Sequence, residues 1–203
     1  MRNNDEFLDL FEKRLSEFTG APYVVLTDRC TNAILLSLIA TGVKEVTIPN
    51  YTYLSVPMTL KNFGIEVSFE DHKWHEEYLI EGSKVFDSAV YFKENMYKYH
   101  EGSIQCISFH QKKRLAIGKG GAILLDDKEL ADKLRRMSYD GRSRHTPNAL
   151  EIQESPDDII CGFHMNMAPD EAAKGILLLN QLPEYKEQSY LNYPDISGLR
   201  CFQ

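Results

Sequence analysis

The feature that most constrains this chain is an alternation of short β-rich runs with apolar or amphipathic helices, repeated along most of its length. Residues 5–19 carry Phe7, Leu10, Phe11, Leu15 and Phe18 at helical spacing, with Asn3 and Glu6 placed as a capping box and Gly20 as a stop. Residues 23–27 then read as strand and 32–40 as an apolar helix closed by Gly42. The pattern repeats with strands at 45–48, 65–69 and 84–87, and a helix at 54–62. Two further strands, 104–109 and 121–125, precede a charged helix at 128–137, and Pro169 opens a last helix reaching Leu182. Strands joined by helices predict an α/β fold: a mainly parallel sheet of about six strands, helices on both faces, and the 121–125 strand antiparallel. In such a sheet ligands bind at the carboxyl ends of strands, so functional residues are sought there. The polar stretches 71–83 and 142–159 read as irregular, and 188–203 as a loosely docked tail.

Length and charge narrow the function classes. With 203 residues the chain suits one main domain, taken as residues 1–185 followed by a short tail at 186–203. Lys and Arg number 23 against 30 Asp and Glu, a net charge of −7, and Lys112-Lys113-Arg114 is the longest basic run. A nucleic-acid backbone is therefore not an expected partner. The longest largely apolar stretch, 33–40, covers about a third of a bilayer span, and the opening Met-Arg-Asn-Asn-Asp-Glu has no signal-peptide core. A cytoplasmic protein without membrane contact is expected. Cys30, Cys106, Cys161 and Cys201 form no C-x-x-C pair and have no histidine at ligand spacing, so no metal site is expected and the thiols read as reduced.

Four strand ends carry groups suited to chemistry. After the first strand, Thr27-Asp-Arg-Cys-Thr-Asn32 opens a helix whose free amides suit a phosphate, although simple capping by Thr31 or Asp28 explains the same residues. Pro49-Asn-Tyr-Thr-Tyr53 places aromatic rings beside any ligand bound there, or packs as a rim. Val85-Phe-Asp87 delivers a carboxylate on an apolar strand, where burial would demand a cationic partner. The segment from Ser108 to Gly121 combines a serine, a lysine five residues on and a glycine-rich return into the next strand, the most specific of the four.

These motifs, in this order, resemble the DegT/StrS-type nucleotide-sugar aminotransferases, pyridoxal-phosphate enzymes of the aspartate aminotransferase fold. The family's S-F-x-x-x-K-x-[LI]-x-x-G-x-G-G signature is matched by Ser108, Phe109, Lys113, Leu115, Gly118, Gly120 and Gly121. Its D-[AS]-A motif is matched by Asp87-Ser88-Ala89, its Gly-Thr phosphate turn by Cys30-Thr31, and its P-x-aromatic-T-aromatic by 49–53. The resemblance spans about residues 5–185. It implies that Lys113, rather than Lys112, carries pyridoxal 5'-phosphate and shuttles protons, and that Asp87 pairs with the pyridine nitrogen. It further implies that Cys30, Thr31, Asn32 and Ser108 hold the phosphate and that Tyr53 stacks on the ring. The implied reaction moves an amino group from a donor such as glutamate to a keto sugar on a nucleotide, in a homodimer with shared active sites. Relatives that dehydrate sugars carry histidine in place of the lysine, so Lys113 favours amino transfer.

The chain departs from that pattern in several places. Val90 stands where the family often has a glutamine contacting the ring oxygen, and His164 and Asn166 replace its usual Asn and Arg. The family's Asn serves the partner's phosphate; His164 either takes over that role with a longer reach or is an ordinary surface histidine. Only 17 residues separate Phe69 from Asp87, too few for the strand and helices that the family places there. One central strand is therefore expected to be missing, with the 84–87 strand pairing directly with 45–48. The family's C-terminal small domain is not encoded within these residues, so the expectation is a minimal, unusually short member. Two rival readings are a cofactor-binding or regulatory remnant without sugar amino transfer, and an interaction module without cofactor.

Overall fold

A computed structural model describes residues 5–145 and 154–202. The proposed Asn3 cap and the middle of the 142–159 stretch lie outside the described residues. Helices α1 (Asp5–Thr19), α2 (Cys30–Ala40), α3 (Ser55–Asn62), α4 (Lys128–Ser138) and α5 (Pro169–Leu179) surround strands β1 (Tyr23–Thr27), β2 (Glu45–Pro49), β3 (Glu66–Glu70), β4 (Tyr78–Leu79), β5 (Val85–Asp87), β6 (Ile104–Ser108) and β7 (Gly121–Leu125). Five strands form one sheet in the order β1-β7-β6-β5-β4, and β2 and β3 form a second, parallel pair.

The expectation of a mainly parallel sheet fails. In the larger sheet only β5 and β6 run parallel; β1–β7, β6–β7 and β4–β5 are antiparallel. Connection length explains two of these pairings. A parallel crossover needs a dozen or more residues, usually with a helix. β4 reaches β5 through residues 80–84 alone, and β6 reaches β7 through 109–120 without a helix. The antiparallel course of β7 is as expected.

The predicted direct pairing of 84–87 with 45–48 is also corrected. Tyr78 and Leu79 pair with Asp87 and Phe86 instead. Two residues further on, Glu81 exchanges backbone hydrogen bonds of 3.0 and 3.1 Å with Thr47 of β2. The strip 78–81 therefore lies between β5 and β2. Two facing strand edges left apart would each expose a row of unpaired amides and carbonyls, and a short antiparallel strip satisfies both. The turn that folds it back uses Gly82 at φ +89.

Alternation along the strands supplies a core on each face of the sheet. Val25, Cys106, Ile123 and Leu125 pack with α2, α3 and α4, while Val24, Leu26, Ile107, Ala122 and Leu124 face α1 and α5. Helices on both faces are thus as expected. Helix α2 is apolar around its circumference because it lies between the sheet on one side and α3 and α4 on the other. On α1 the buried face is Leu8, Phe11 and Leu15, whereas Phe7 and Leu10 are 40% and 43% exposed, so the predicted stripe is rotated. Gly175 permits this packing, because a Cβ there would overlap the Phe11 ring. Helix α4 is capped by Asp127, which accepts the Leu130 amide at 3.0 Å.

The tail is docked, contrary to expectation. The amides of Glu76, Tyr190 and Ile196 donate to the carbonyls of Gln188, Trp74 and Asn50 at 2.8, 3.1 and 3.1 Å, Ile196 is buried, and Phe202 packs on Phe69. Among the described residues no helix is long and apolar enough to cross a membrane, and no cluster of three His, Cys, Asp or Glu could hold a metal.

Candidate functional site

The site grows from the ends of β1, β5 and β6. After Thr27, whose hydroxyl donates to Arg29 O at 2.9 Å, the chain turns within two residues into α2. No side chain caps that helix. Thr31 and Asp28, the candidate caps, are otherwise engaged: Thr31 Oγ1 shares a 2.6 Å hydrogen bond with Ser55 Oγ, and Asp28 Oδ1 accepts from Asn32 Nδ2 at 2.6 Å. The first amides of α2 are therefore left for an anion. The first residue of β7 lies against this turn. A Cβ on Gly121 would fall 2.6 Å from Arg29 C and 2.8 Å from Cys30 Cα, so only glycine allows the approach.

At the end of β5, Asp87 is 7% exposed. Its Oδ2 accepts from the Tyr78 hydroxyl at 2.8 Å and its Oδ1 from the Ala89 amide at 3.0 Å. Burial pushes its pKa up from the ordinary carboxylate value; these two hydrogen bonds and the Lys113 charge oppose that rise.

After β6 the backbone forms a broad loop pinned by buried Phe109, Leu115 and Ile117. The amides of Gln111 and Gly118 close it onto Gly118 O and Phe109 O at 3.3 and 3.1 Å. At its bend Lys112 is exposed at the cavity, while Lys113 is partly buried and directs Nζ to Tyr193 Oη at 3.2 Å. Burial lowers the Lys113 pKa, against the raising influence of Asp87 and Cys30. Its amine is thereby shifted toward the neutral, nucleophilic form.

These groups meet in one cavity of about 730 Å³. Cys30, Thr31 and Asn32 line it from α2, Tyr53 from the loop before α3, Asp87 from β5, and Ser108 and Lys113 from β6 and its loop. Tyr53 is 61% exposed at the mouth, and buried Val90 presents an apolar wall. The Cys30 thiol donates to Cys106 O at 3.4 Å, and burial pushes its pKa well up, so it is an inert packing group. His164 lies apart. It is exposed, and its Nδ1 is 3.3 Å from Asp140 Oδ2.

Sequence reasoning gave Thr52, inside the 49–53 motif, no role of its own and missed Trp74, Tyr78 and Tyr193; all four line the cavity. The last three sit in stretches read as irregular or loosely docked; the available signal was the presence of large aromatic residues in otherwise polar runs.

The chain is 26% identical to the spore coat polysaccharide biosynthesis protein SpsC of Bacillus subtilis, over 88% of this chain and 57% of SpsC. It spans a little over half the length of the curated relatives it matches. Among solved structures, DesI in the presence of its TDP-sugar product superposes with a TM-score of 0.65 at 21% identity, covering 86% of this chain and 53% of DesI. The ntda protein of Bacillus subtilis, with bound cofactor PMP, gives 0.63 at 21%, covering 84% and 47%. Both share the fold. The sequence model of the DegT/DnrJ/EryC1/StrS aminotransferases matches residues 2–87 and 99–193, so the chain belongs to the DegT/DnrJ/EryC1/StrS aminotransferase family.

Proposed function

We propose that this chain forms the cofactor site of a pyridoxal-phosphate-dependent aminotransferase that moves an amino group from a donor such as glutamate to a keto sugar on a nucleotide. The observation that carries the proposal is the meeting of a partly buried lysine amine of lowered pKa with a buried carboxylate in one cavity beside an uncapped helix start. The residues fit the cofactor. The uncapped amides of α2 and the Thr31 and Ser55 hydroxyls suit its phosphate, and Asp87 retains acceptor capacity beyond its two present hydrogen bonds. When bound, the group supplies an electron sink for the electron pair released at the donor's α-carbon.

This chain's residues supply the rest. Lys113, with its ammonium form disfavoured, acts as nucleophile and as the base that takes the proton from that carbon and returns it. Asp87, buried on the cavity floor, would pair with the cofactor's ring nitrogen and hold a proton there. Tyr53 covers the open face, and Val90 leaves the ring oxygen without the glutamine contact of relatives. Cytoplasmic placement and a homodimer in which exposed His164 reaches the partner's phosphate belong to the same proposal. The transaminase of Shigella dysenteriae that acts as a dTDP-4-amino-4,6-dideoxy-D-glucose transaminase, 24% identical over 90% of this chain, supports the substrate class.

The test is spectroscopic. The protein mixed with pyridoxal phosphate is expected to develop a visible band that glutamate bleaches with release of 2-oxoglutarate. A band that no amino donor bleaches would favour a cofactor-binding remnant, and no band at all would overturn the proposal.

A further inference from the structure

The two groups assigned to chemistry are each held by a tyrosine hydroxyl, and those tyrosines flank one indole. Tyr78 Oη donates to Asp87 Oδ2 at 2.8 Å and shares a 2.6 Å hydrogen bond with Thr52 Oγ1. On the other side, Lys113 Nζ donates to Tyr193 Oη at 3.2 Å. Trp74 stands between, its ring centroid 5.5 Å from each tyrosine ring at interplanar angles of 46° and 48°. Trp74 is itself fixed: it is 4% exposed, its indole N–H donates to Tyr51 O at 2.7 Å, and its carbonyl accepts the Tyr190 amide at 3.1 Å.

We infer that Tyr78, Trp74 and Tyr193 form a single positioning wall that holds the Asp87 carboxylate and the Lys113 amine in place, with the docked 188–196 segment supplying its Lys113 end. The inference rests on the reading of Lys113 and Asp87 as the reacting pair. Its chemistry is that of a neutral phenol. Burial and the Asp87 charge push the Tyr193 hydroxyl well above its ordinary pKa, so it keeps its proton. Its oxygen accepts from the Lys113 ammonium, a bond to a charged group and so stronger than the one its hydroxyl can donate to the free amine. The wall is built from the two stretches that carry no regular pattern, 71–83 and the tail, which the backbone bonds of Trp74 and Glu76 tie together.

The decisive experiment uses the cofactor-free protein. The pH dependence of Lys113 acetylation by acetic anhydride is read by peptide mass spectrometry, with exposed Lys112 as internal reference. Charged groups facing the Lys113 amine are Asp87 and, when ionised, Cys30; both are unaltered in Tyr193→Phe. Loss of the hydroxyl removes an acceptor from the ammonium, so the Lys113 midpoint is expected to fall by roughly half a pH unit while Lys112 stays fixed. An unchanged Lys113 midpoint, or an equal movement of both lysines, overturns the inference. Trp74 is the only tryptophan, so its emission reports the wall directly. Tyr193→Ala is expected to shift that emission to the red, and an unshifted spectrum would show that Tyr193 does not pack on Trp74 in solution. Neither readout involves pyridoxal phosphate, so a failure here is distinct from the missing band that would overturn the proposed activity.

Discussion

The floor and the wall of the cavity are built on different principles. The floor comes from strand ends: Thr31 follows β1, Asp87 ends β5, Ser108 ends β6 and Lys113 follows it. Each is aimed by a regular element whose own register is set by core packing on both faces. The wall comes from the loop and two-residue strand at 74–79 and from the tail, and its two halves are aimed by contacts between residues more than 100 positions apart, Trp74 with Tyr190 and Tyr193. The difference teaches that strand ends can fix where groups stand while irregular chain, brought together from distant positions, fixes how they are oriented.

That contrast can be broken by substitution. Trp74→Ala should have the largest effect, a loss of about 4 kcal/mol in urea denaturation, because it empties a site that two tyrosines and two backbone segments share. A cost near zero would mean that the wall merely lines the cavity. Gly121→Ala should cost about 3 kcal/mol, because its Cβ meets backbone of the β1–α2 turn that cannot yield as a side chain would. If this variant is as stable as the parent, the close approach of β7 to the β1–α2 turn is not needed.

The smallest effect sharpens the comparison through its sign. Asp87 has a folded pKa above the ordinary carboxylate value, chiefly through burial. Its ionisation therefore costs stability as pH rises through that folded value, and the cost is absent below the ordinary range of about 4, where both folded and unfolded forms are protonated. Asp87→Asn should accordingly stabilise the cofactor-free protein at neutral pH, with the advantage fading as pH falls toward 4. Thermal unfolding across pH checks this; a variant destabilised at neutral pH would show that the wall fully compensates the buried charge.

Much of the floor was legible in the sequence. The Ser108–Gly121 motif pointed to Lys113 rather than Lys112; both lysines line the cavity, Lys113 the more buried and bonded to Tyr193. The place of Asp87 was legible because an apolar strand carries an acid at its end into buried surroundings. Strand direction was not, because periodicity reports burial and is silent about which neighbour pairs with which. The strip 78–81 was hidden for a related reason: two strand residues are too short for any alternation, and the strip exists because β5 and β2 both present open edges to it. Tyr193 was hidden because its setting is supplied by Trp74, far away in the chain. The α1 stripe was misjudged because five apolar residues exceed one face, and the fit of Phe11 against Gly175 decided which of them point inward.

The central claim is that Lys113 carries pyridoxal phosphate in this cavity. Borohydride reduction of the cofactor-treated protein, followed by peptide mass spectrometry, tests it most directly. The predicted result is the reduced cofactor attached to Lys113 and absent from Lys112, with no band formed by Lys113→Ala. A label on Lys112 or spread over exposed lysines, or a band that persists in Lys113→Ala, would contradict it.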